Sequence, residues 1–264
     1  MKRLLQGTIL LVLIFLLGAF VLKPPSPPAA QRKAVVIELF TSEGCSSCPP
    51  ADALLGNLGN RPSANGAEII PLGFHVDYWD YQGWRDRFGS HSYTERQQKY
   101  AARFQLDGPY TPQLVVDGQT ELVGSDSARA QNAIIQAAAR QQQTDVQLSW
   151  KAPDRLLVLA TTGNTAASSQ VLLAITENEL ASNVAAGENG GHVLHHSAVV
   201  RDFRLLGRLN NGRLQVEIPV KAAADWKVKD LRLVVFVQSA PLGPIEGAAA
   251  IPWSKADDCK NCRN

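Results

Sequence analysis

Apolar residues arrive first as one long block and afterwards as short runs whose spacing changes along the chain. The block runs from Ile9 to Leu22, with Leu4 and Leu5 ahead of it and Lys2 and Arg3 at its start. A basic beginning followed by about 20 mostly apolar positions fits a membrane-anchoring helix, or a signal peptide that is later cleaved. Cleavage after Ala30 would put Pro28 where a small residue is wanted, which favours the anchor. The basic end stays in the cytoplasm, so the remainder is expected on the periplasmic side of a bacterial inner membrane, anchored or released. Lys23 to Ala30 is proline-rich and reads as an extended spacer. Residues 1–33 are therefore set apart as signal or anchor.

From residue 34 the pattern alternates between strand and helix. Val35 to Phe40 is a short β-rich run, and Pro49 to Leu55 opens a helix, because two prolines fit only in a first turn whose N–H groups lack partners anyway. Glu68 to Val76 reads as a strand in which Pro71 signals a bulge or an edge. Ser92 to Phe104 is helical, Tyr110 to Gly124 is a hairpin that a proline enters and that turns at Asp117-Gly118, and Asp126 or Ser127 caps a last helix over 128–142. Residues 34–143 thus predict an α/β domain.

Beyond Asp145 the helical period disappears. Short β runs cover 146–150, 155–161, 170–176, 193–203, 213–220, 231–238 and 248–253, with turns at Ala152-Pro-Asp154 and Asn210-Asn-Gly212. Residues 144–254 predict a separate all-β sandwich of immunoglobulin or fibronectin type, and residues 255–264 a polar tail.

Composition narrows the chemistry. With 45% hydrophobic and 19% charged residues over 264 positions, the chain can bury a core and is not disordered. Twenty-six basic against 24 acidic residues leave +2, too little to draw nucleic acid by charge. The four cysteines form two Cys-x-x-Cys pairs, Cys45/Cys48 and Cys259/Cys262. The first sits where the strand gives way to the helix. A helix start favours an anion, so Cys45 is the expected thiolate and Cys48 the partner that closes a disulfide. The alternatives are an inert structural disulfide, half of a metal site, or a binding module that has kept the motif; the helix-start position argues for redox.

Glu38 to Asp52, His75 to Asp80 and Tyr110-Thr-Pro-Gln113 together resemble DUF1223, a family of exported thioredoxin-like proteins of unsettled substrate. The resemblance implies an α/β thioredoxin-like domain, with Cys45 as attacking thiol, Cys48 as resolving thiol and Pro112 as a cis-proline facing them. Thr111 would then offer its backbone to an extended substrate chain. Glu38 matches, with one extra loop residue, the buried carboxylate that helps move the resolving thiol's proton. The implied activity is thiol–disulfide exchange on protein cysteines, with no cofactor. Ser46 and Ser47 supply only hydroxyls between the cysteines and Glu43 opposes a thiolate, so the couple is expected to be moderately reducing or intermediate. A potential near about −120 mV would contradict that expectation.

Other candidates are less defined. His75, Asp77 and Asp80 suggest a proton shuttle at the rim of the site, with Tyr78, Trp79 and Trp84 as a peptide platform, or else a packed loop that satisfies His75 internally. Gly187 to His192 is glycine-rich but lacks the lysine and spacing of a phosphate loop. His192, His195 and His196 read as surface or interface groups, with a copper or zinc site, and so a metal chaperone, as the alternative. Cys259 and Cys262 form a relay dithiol, a metal clip or an inert local disulfide.

Overall fold

The computed structural model describes residues 33–60, 66–164 and 169–253. The chain runs β1 (Ala34–Thr41), α1 (Pro49–Gly59), β2 (Glu68–His75), α2 (His91–Arg103), β3 (Gln113–Val116), β4 (Thr120–Val123) and α3 (Ser127–Ala139). It continues as β5 (Thr144–Ala152), β6 (Arg155–Thr162), β7 (Gln170–Glu177), β8 (Leu180–Asn183), β9 (Val193–His196) and β10 (Val199–Arg208). It ends with β11 (Arg213–Pro219), β12 (Leu231–Gln238) and β13 (Ile245–Pro252). The expected signal or anchor segment and the Cys259/Cys262 pair lie outside the described residues. Among the described residues no helix is long and apolar enough to cross a membrane.

One mixed sheet of eight strands, in the order β13-β12-β7-β10-β2-β1-β3-β4, takes strands from both halves of the sequence. The expectation of an α/β thioredoxin-like domain followed by a separate sandwich is corrected by this sheet. The fold is largely β, with three α-helices among the described residues, which form one compact unit. The join is β10 against β2, where Val199 faces Gly73 and the Gly73 amide donates to Ala198 O at 2.7 Å.

Side-chain alternation assigns the two faces. On one face Val35, Ile37 and Leu39 of β1 pack with Ala51, Leu55 and Leu58 of α1 and with Ala130, Ile134 and Ala137 of α3. On the other, Val36 and Phe40 pack with Phe74, with Tyr93 and Tyr100 of α2, and with Val234 and Phe236 of β12. Alpha-2 therefore spans the seam between early and late strands. The three-stranded sheet β11-β6-β5 covers the outer half of the large sheet, with Val158 and Ala160 buried against Leu173, Leu233 and Val235. The hairpin β8-β9 stands apart from both sheets and leans on α1.

Local signals produced the expected elements. The Asp126 carboxylate accepts from the Arg129 amide at 3.0 Å and caps α3. Pro71 falls inside β2, in register with Ile37 of β1. Gly73 donates toward β10, and alternation sends position 71 to the same side, where β10, which runs parallel and starts at Val199 opposite Gly73, has not yet begun; no ladder bond is lost there. The run expected as one strand over 193–203 is broken into β9 and β10 by Ser197 and Ala198.

Candidate functional site

Cys45 and Cys48 form a disulfide at the end of β1 and the start of α1, with their Cα atoms 5.4 Å apart. Cys48 is the N-cap residue and Pro49 and Pro50 follow it, so two positions of the first turn have no N–H. The next two amides, of Ala51 and Asp52, both donate to Cys48 O at 2.9 and 3.1 Å. The helix start therefore offers its dipole but few free donors. The polar neighbour of the Cys45 sulfur is Ser47 Oγ at 3.3 Å.

The segment ending in the cis peptide Thr111–Pro112 lies beside this loop. Ser47 Oγ donates to Thr111 O at 3.5 Å, and Trp79 Nε1 donates to Thr111 Oγ1 at 2.9 Å. Trp79 also lies against Gly44, where a Cβ would come within 2.9 Å of the Trp79 Cβ; glycine is required there. Tyr78 points its hydroxyl to Gln97 Oε1 at 3.2 Å. The structure thus brings Cys45, Cys48, Thr111, Pro112 and Trp79 together.

Glu38 is elsewhere. It shares the alternation of Val36 and Phe40 and faces α2, whereas α1 and its disulfide lie across the sheet. Both of its oxygens are engaged: Arg96 Nε donates to Oε2 and the Tyr100 hydroxyl to Oε1, each at 2.6 Å.

Beneath the disulfide, on the α1 face, is a cluster that the sequence reading did not assemble. The His75 ring bonds Asp86 Oδ2 at 2.7 Å through Nδ1, and the Glu43 amide donates to the same oxygen at 2.9 Å. His196 Nε2 lies 3.3 Å from Glu43 Oε1. Trp84 Nε1 donates to Glu43 Oε2 at 2.7 Å. The His75 and His196 rings meet edge to face at 5.0 Å. Asp52, four residues after Cys48 and so on the same helical face, completes the group.

Electrostatics sort these groups. Burial alone would lower the His75 pKa, but the Asp86 carboxylate beside it holds it above the ordinary value. Burial alone would raise Asp86, and His75 with the Glu43 and Phe88 amides brings it below its ordinary value. Glu43 is likewise pushed up by burial and brought lower overall by His196, Ser182 and Trp84. Asp52 is raised, because burial outweighs the attraction of His75 and His196.

The site is closed from above. Asn189 Nδ2 donates to Glu43 O at 2.9 Å and Cys45 O at 3.0 Å, and the Ser46 amide donates to Glu188 Oε2 at 3.0 Å. Both side chains belong to the glycine-rich loop between β8 and β9, here a strap over the cysteines. Cys45 is 1% exposed and Cys48 0%.

Of the histidines read as surface or interface groups, His196 is buried while His192 and His195 are exposed. Asp77 turns to the start of α2, accepting from Thr94 Oγ1 at 2.6 Å, and Asp80 Oδ1 accepts from the Asp86 amide at 3.1 Å. Among the described residues no three His, Cys, Asp or Glu side chains are arranged to hold a metal ion.

The fold and site define a largely β protein with a strapped disulfide at a helix start above buried carboxylates and imidazoles. The chain belongs to the family described as protein of unknown function DUF1223, whose model matches residues 36–238. It is similar to a crystal structure of an Agrobacterium tumefaciens protein from a structural-genomics programme. That match has 28% identity and a TM-score of 0.68, and covers 86% of this chain and 97% of the other. A domain of the outer membrane lipoprotein Omp28 from Porphyromonas gingivalis matches with 12% identity and a TM-score of 0.26. It covers 44% of this chain and 92% of the other, and the likeness is too slight to bear on fold or role. No curated protein matches the chain.

Proposed function

We propose that this chain is an exported thiol–disulfide oxidoreductase-like protein that exchanges its Cys45–Cys48 disulfide with cysteines of other proteins, on the periplasmic side of a bacterial membrane. The observation that carries the reading is the disulfide at the start of α1 with Thr111 and Pro112 beside it, bridged by Ser47. This local pairing of a Cys-x-x-Cys with a Thr-Pro segment is of the thioredoxin kind.

In the oxidised protein a substrate thiolate attacks Cys45 Sγ, the S–S bond breaks, and its electron pair leaves on Cys48, which takes a proton. A second substrate thiolate then attacks the mixed disulfide and frees Cys45. The reverse sequence oxidises Cys45 and Cys48. Ser47 Oγ, 3.3 Å from the Cys45 sulfur, turns its one hydrogen from Thr111 O to the thiolate when the disulfide opens. Thr111 and the face of Trp79 receive the substrate chain once the strap is displaced.

A second reading, a non-enzymatic binding module with a structural disulfide, is favoured by the burial of both sulfurs. One experiment separates the two. Cys48→Ala leaves Cys45 unable to resolve, so the oxidoreductase accumulates mixed disulfides with periplasmic proteins. Absence of any Cys45-dependent adduct after expression in the periplasm sinks the enzyme reading.

A further inference from the structure

Most main-chain amides around the disulfide are committed within their own loop. Those of Gly44 and Cys45 donate back to Ser42, that of Cys48 to Cys45 O, and those of Ala51 and Asp52 to Cys48 O. The Ser46 amide instead leaves the loop and donates to Glu188 Oε2 at 3.0 Å. A carboxylate from 142 positions away thus holds the donor next to Cys45, the expected nucleophile.

The strap is built to keep that carboxylate in place. Gly187 and Gly191 take left-handed turns, with φ of 79° and 83°, and the Gly191 amide closes the loop on Val184 O at 2.8 Å. Gln82 Oε1 accepts from the Glu188 amide at 3.2 Å, and a Cβ on Gly187 would come within 3.1 Å of that oxygen. Hydrogen bonds from the Ser46 side chain and amide hold the Glu188 carboxyl below its ordinary value, so it is ionised at neutral pH.

The Ser46 nitrogen is joined to the Cys45 sulfur through C, Cα and Cβ, so the carboxylate lies no more than about 8 Å from that sulfur. This is within one screening length of physiological salt, about 8 Å. A disulfide is neutral and tolerates the charge, whereas a thiolate at Cys45 is repelled by it. Glu43 of the same loop, Asp52 of α1, His75 of β2, Asp86 before α2 and His196 of β9 lie beneath the disulfide in packed elements. Glu188 is exposed, and is the charge that can swing away.

We propose that Glu188 is a positioning residue for the thiol chemistry of Cys45: it clasps the strap over the disulfide and gives way to the thiolate, so that reduction loosens the strap. The proposal rests on the thiol–disulfide reading of Cys45 and Cys48. The coupling is reciprocal, and the closed clasp makes Cys45 the weaker acid. The sulfur is therefore more open as a thiolate than as a disulfide, which suits partners that carry a disulfide. Cys45 thiolate attacks one partner sulfur, the partner's S–S bond breaks, and its other sulfur leaves with the electron pair and takes a proton. Cys48, losing its proton, attacks Cys45 Sγ; the mixed bond breaks and the partner's first sulfur leaves with the electron pair and takes a proton. Two electrons pass to the partner with the two protons the cysteines gave up. The strap then closes on the re-formed disulfide and guards it from the thiols just released. Exchange with a dithiol of another protein restores Cys45 and Cys48.

Two variants separate charge from clasp. Glu188→Gln keeps an acceptor for the Ser46 amide and removes the charge; Glu188→Ala removes both. In a Cys48→Ala chain, iodoacetamide alkylation of Cys45 is followed against pH by peptide mapping. Glu188→Gln should lower the midpoint by about half a unit, about threefold in acidity. With Cys48 present, above that midpoint, the same change should shift the glutathione equilibrium about threefold toward the dithiol, or about 14 mV. Equal profiles for the two side chains overturn the proposal and leave Glu188 a mechanical clasp. Above that midpoint, hydrogen exchange over 184–192 should be about threefold faster in the reduced protein than in the oxidised one. Glu188→Gln should erase that difference, and Glu188→Ala should make both forms fast. A difference that persists undiminished in Glu188→Gln overturns the coupling. Resistance of the Cys45–Cys48 disulfide to a small dithiol while the fold persists removes the exchange reading and this proposal together. A disulfide that is reduced, with a pH profile unmoved by Glu188→Gln, removes this proposal alone.

Discussion

Glu38 and Arg96 form an ion pair across β1 and α2, with Arg96 Nε donating to Glu38 Oε2 at 2.6 Å and both side chains buried. The guanidinium also lies over the rings of Phe203 at 4.9 Å and Phe236 at 5.8 Å, and its Nη2 donates to Gln238 Oε1 at 2.9 Å. The pair ties early strands to late ones across the seam of the large sheet, on the face away from the disulfide.

Removing one member of such a pair strands the other in a medium that solvates it poorly, at a cost of about 3–5 kcal/mol. Glu38→Gln should therefore lower stability by that order in denaturant unfolding. The rate at which a small dithiol reduces Cys45–Cys48 in the folded fraction should not change. A large drop in that rate with stability intact would return Glu38 to the proton chemistry expected from the sequence.

The strap makes a different prediction. Asn189 holds two loop carbonyls through one nitrogen, and two hydrogen bonds of about 1 kcal/mol each set the order of the closing energy. Asn189→Ala should raise the open population about tenfold or more. Stopped-flow reduction of the disulfide, or alkylation of reduced Cys45, should accelerate accordingly. If rates match those of the unaltered chain, the loop is not what bars access.

Local chemistry was legible in the sequence and long-range pairing was not. Two prolines fixed the start of α1, Asp117-Gly118 fixed the β3–β4 turn, and Asp126 announced α3, because each acts within a few residues. The alternating runs at 170–176 and 231–238 revealed strands, but alternation states only that a strand has faces. It does not name the neighbour, so β7, β10, β12 and β13 read as a second domain. The buried cluster was hidden for the same reason. Asp52 could have been found four residues beyond Cys48 on one helical face, whereas His196 meets Glu43 from 153 positions away. The neighbouring glycine-rich loop carried no signal beyond its lack of a phosphate motif.

The His75–Asp86 pair should shape stability against pH from both sides. The His75 folded pKa is raised above its ordinary 6.5, so its contribution is fully present below pH 6.5 and is lost as pH rises through the folded value. Asp86 is lowered from 3.8, so its contribution is present above pH 3.8 and is lost as pH falls through the folded value. Glu43 and Asp52 face the same space: Glu43, lowered from its ordinary 4.5, adds to the acid limb in the same sense, and Asp52, raised from 3.8, opposes it. His75→Gln should flatten the alkaline limb and cost about 3–5 kcal/mol near pH 6, where it leaves Asp86 buried without its cation. Melting temperatures between pH 5 and 9 provide the check; parallel curves for the two proteins would show that His75 does not titrate across this range.

Asp117 supplies the opposite case. Its Oδ1 accepts from the Val36 amide at 2.9 Å, and burial, only partly offset by that bond and by Arg140 and Lys33, raises its pKa from 3.8 to about 6. A raised carboxyl favours the folded state while protonated, so stability is lost as pH climbs from 3.8 to about 6, and the deficit stays constant above that. The shift of about two units corresponds to a deficit of up to about 3 kcal/mol. Asparagine can accept the same bond, carries no charge, and suits the left-handed backbone at this position, where φ is 47°. Asp117→Asn should therefore stabilise the protein at pH 7 by up to about 3 kcal/mol and lose that advantage by pH 4. A gain that is equal at both pH values would mean that the carboxyl does not titrate across this range, and that relief of backbone strain alone accounts for it.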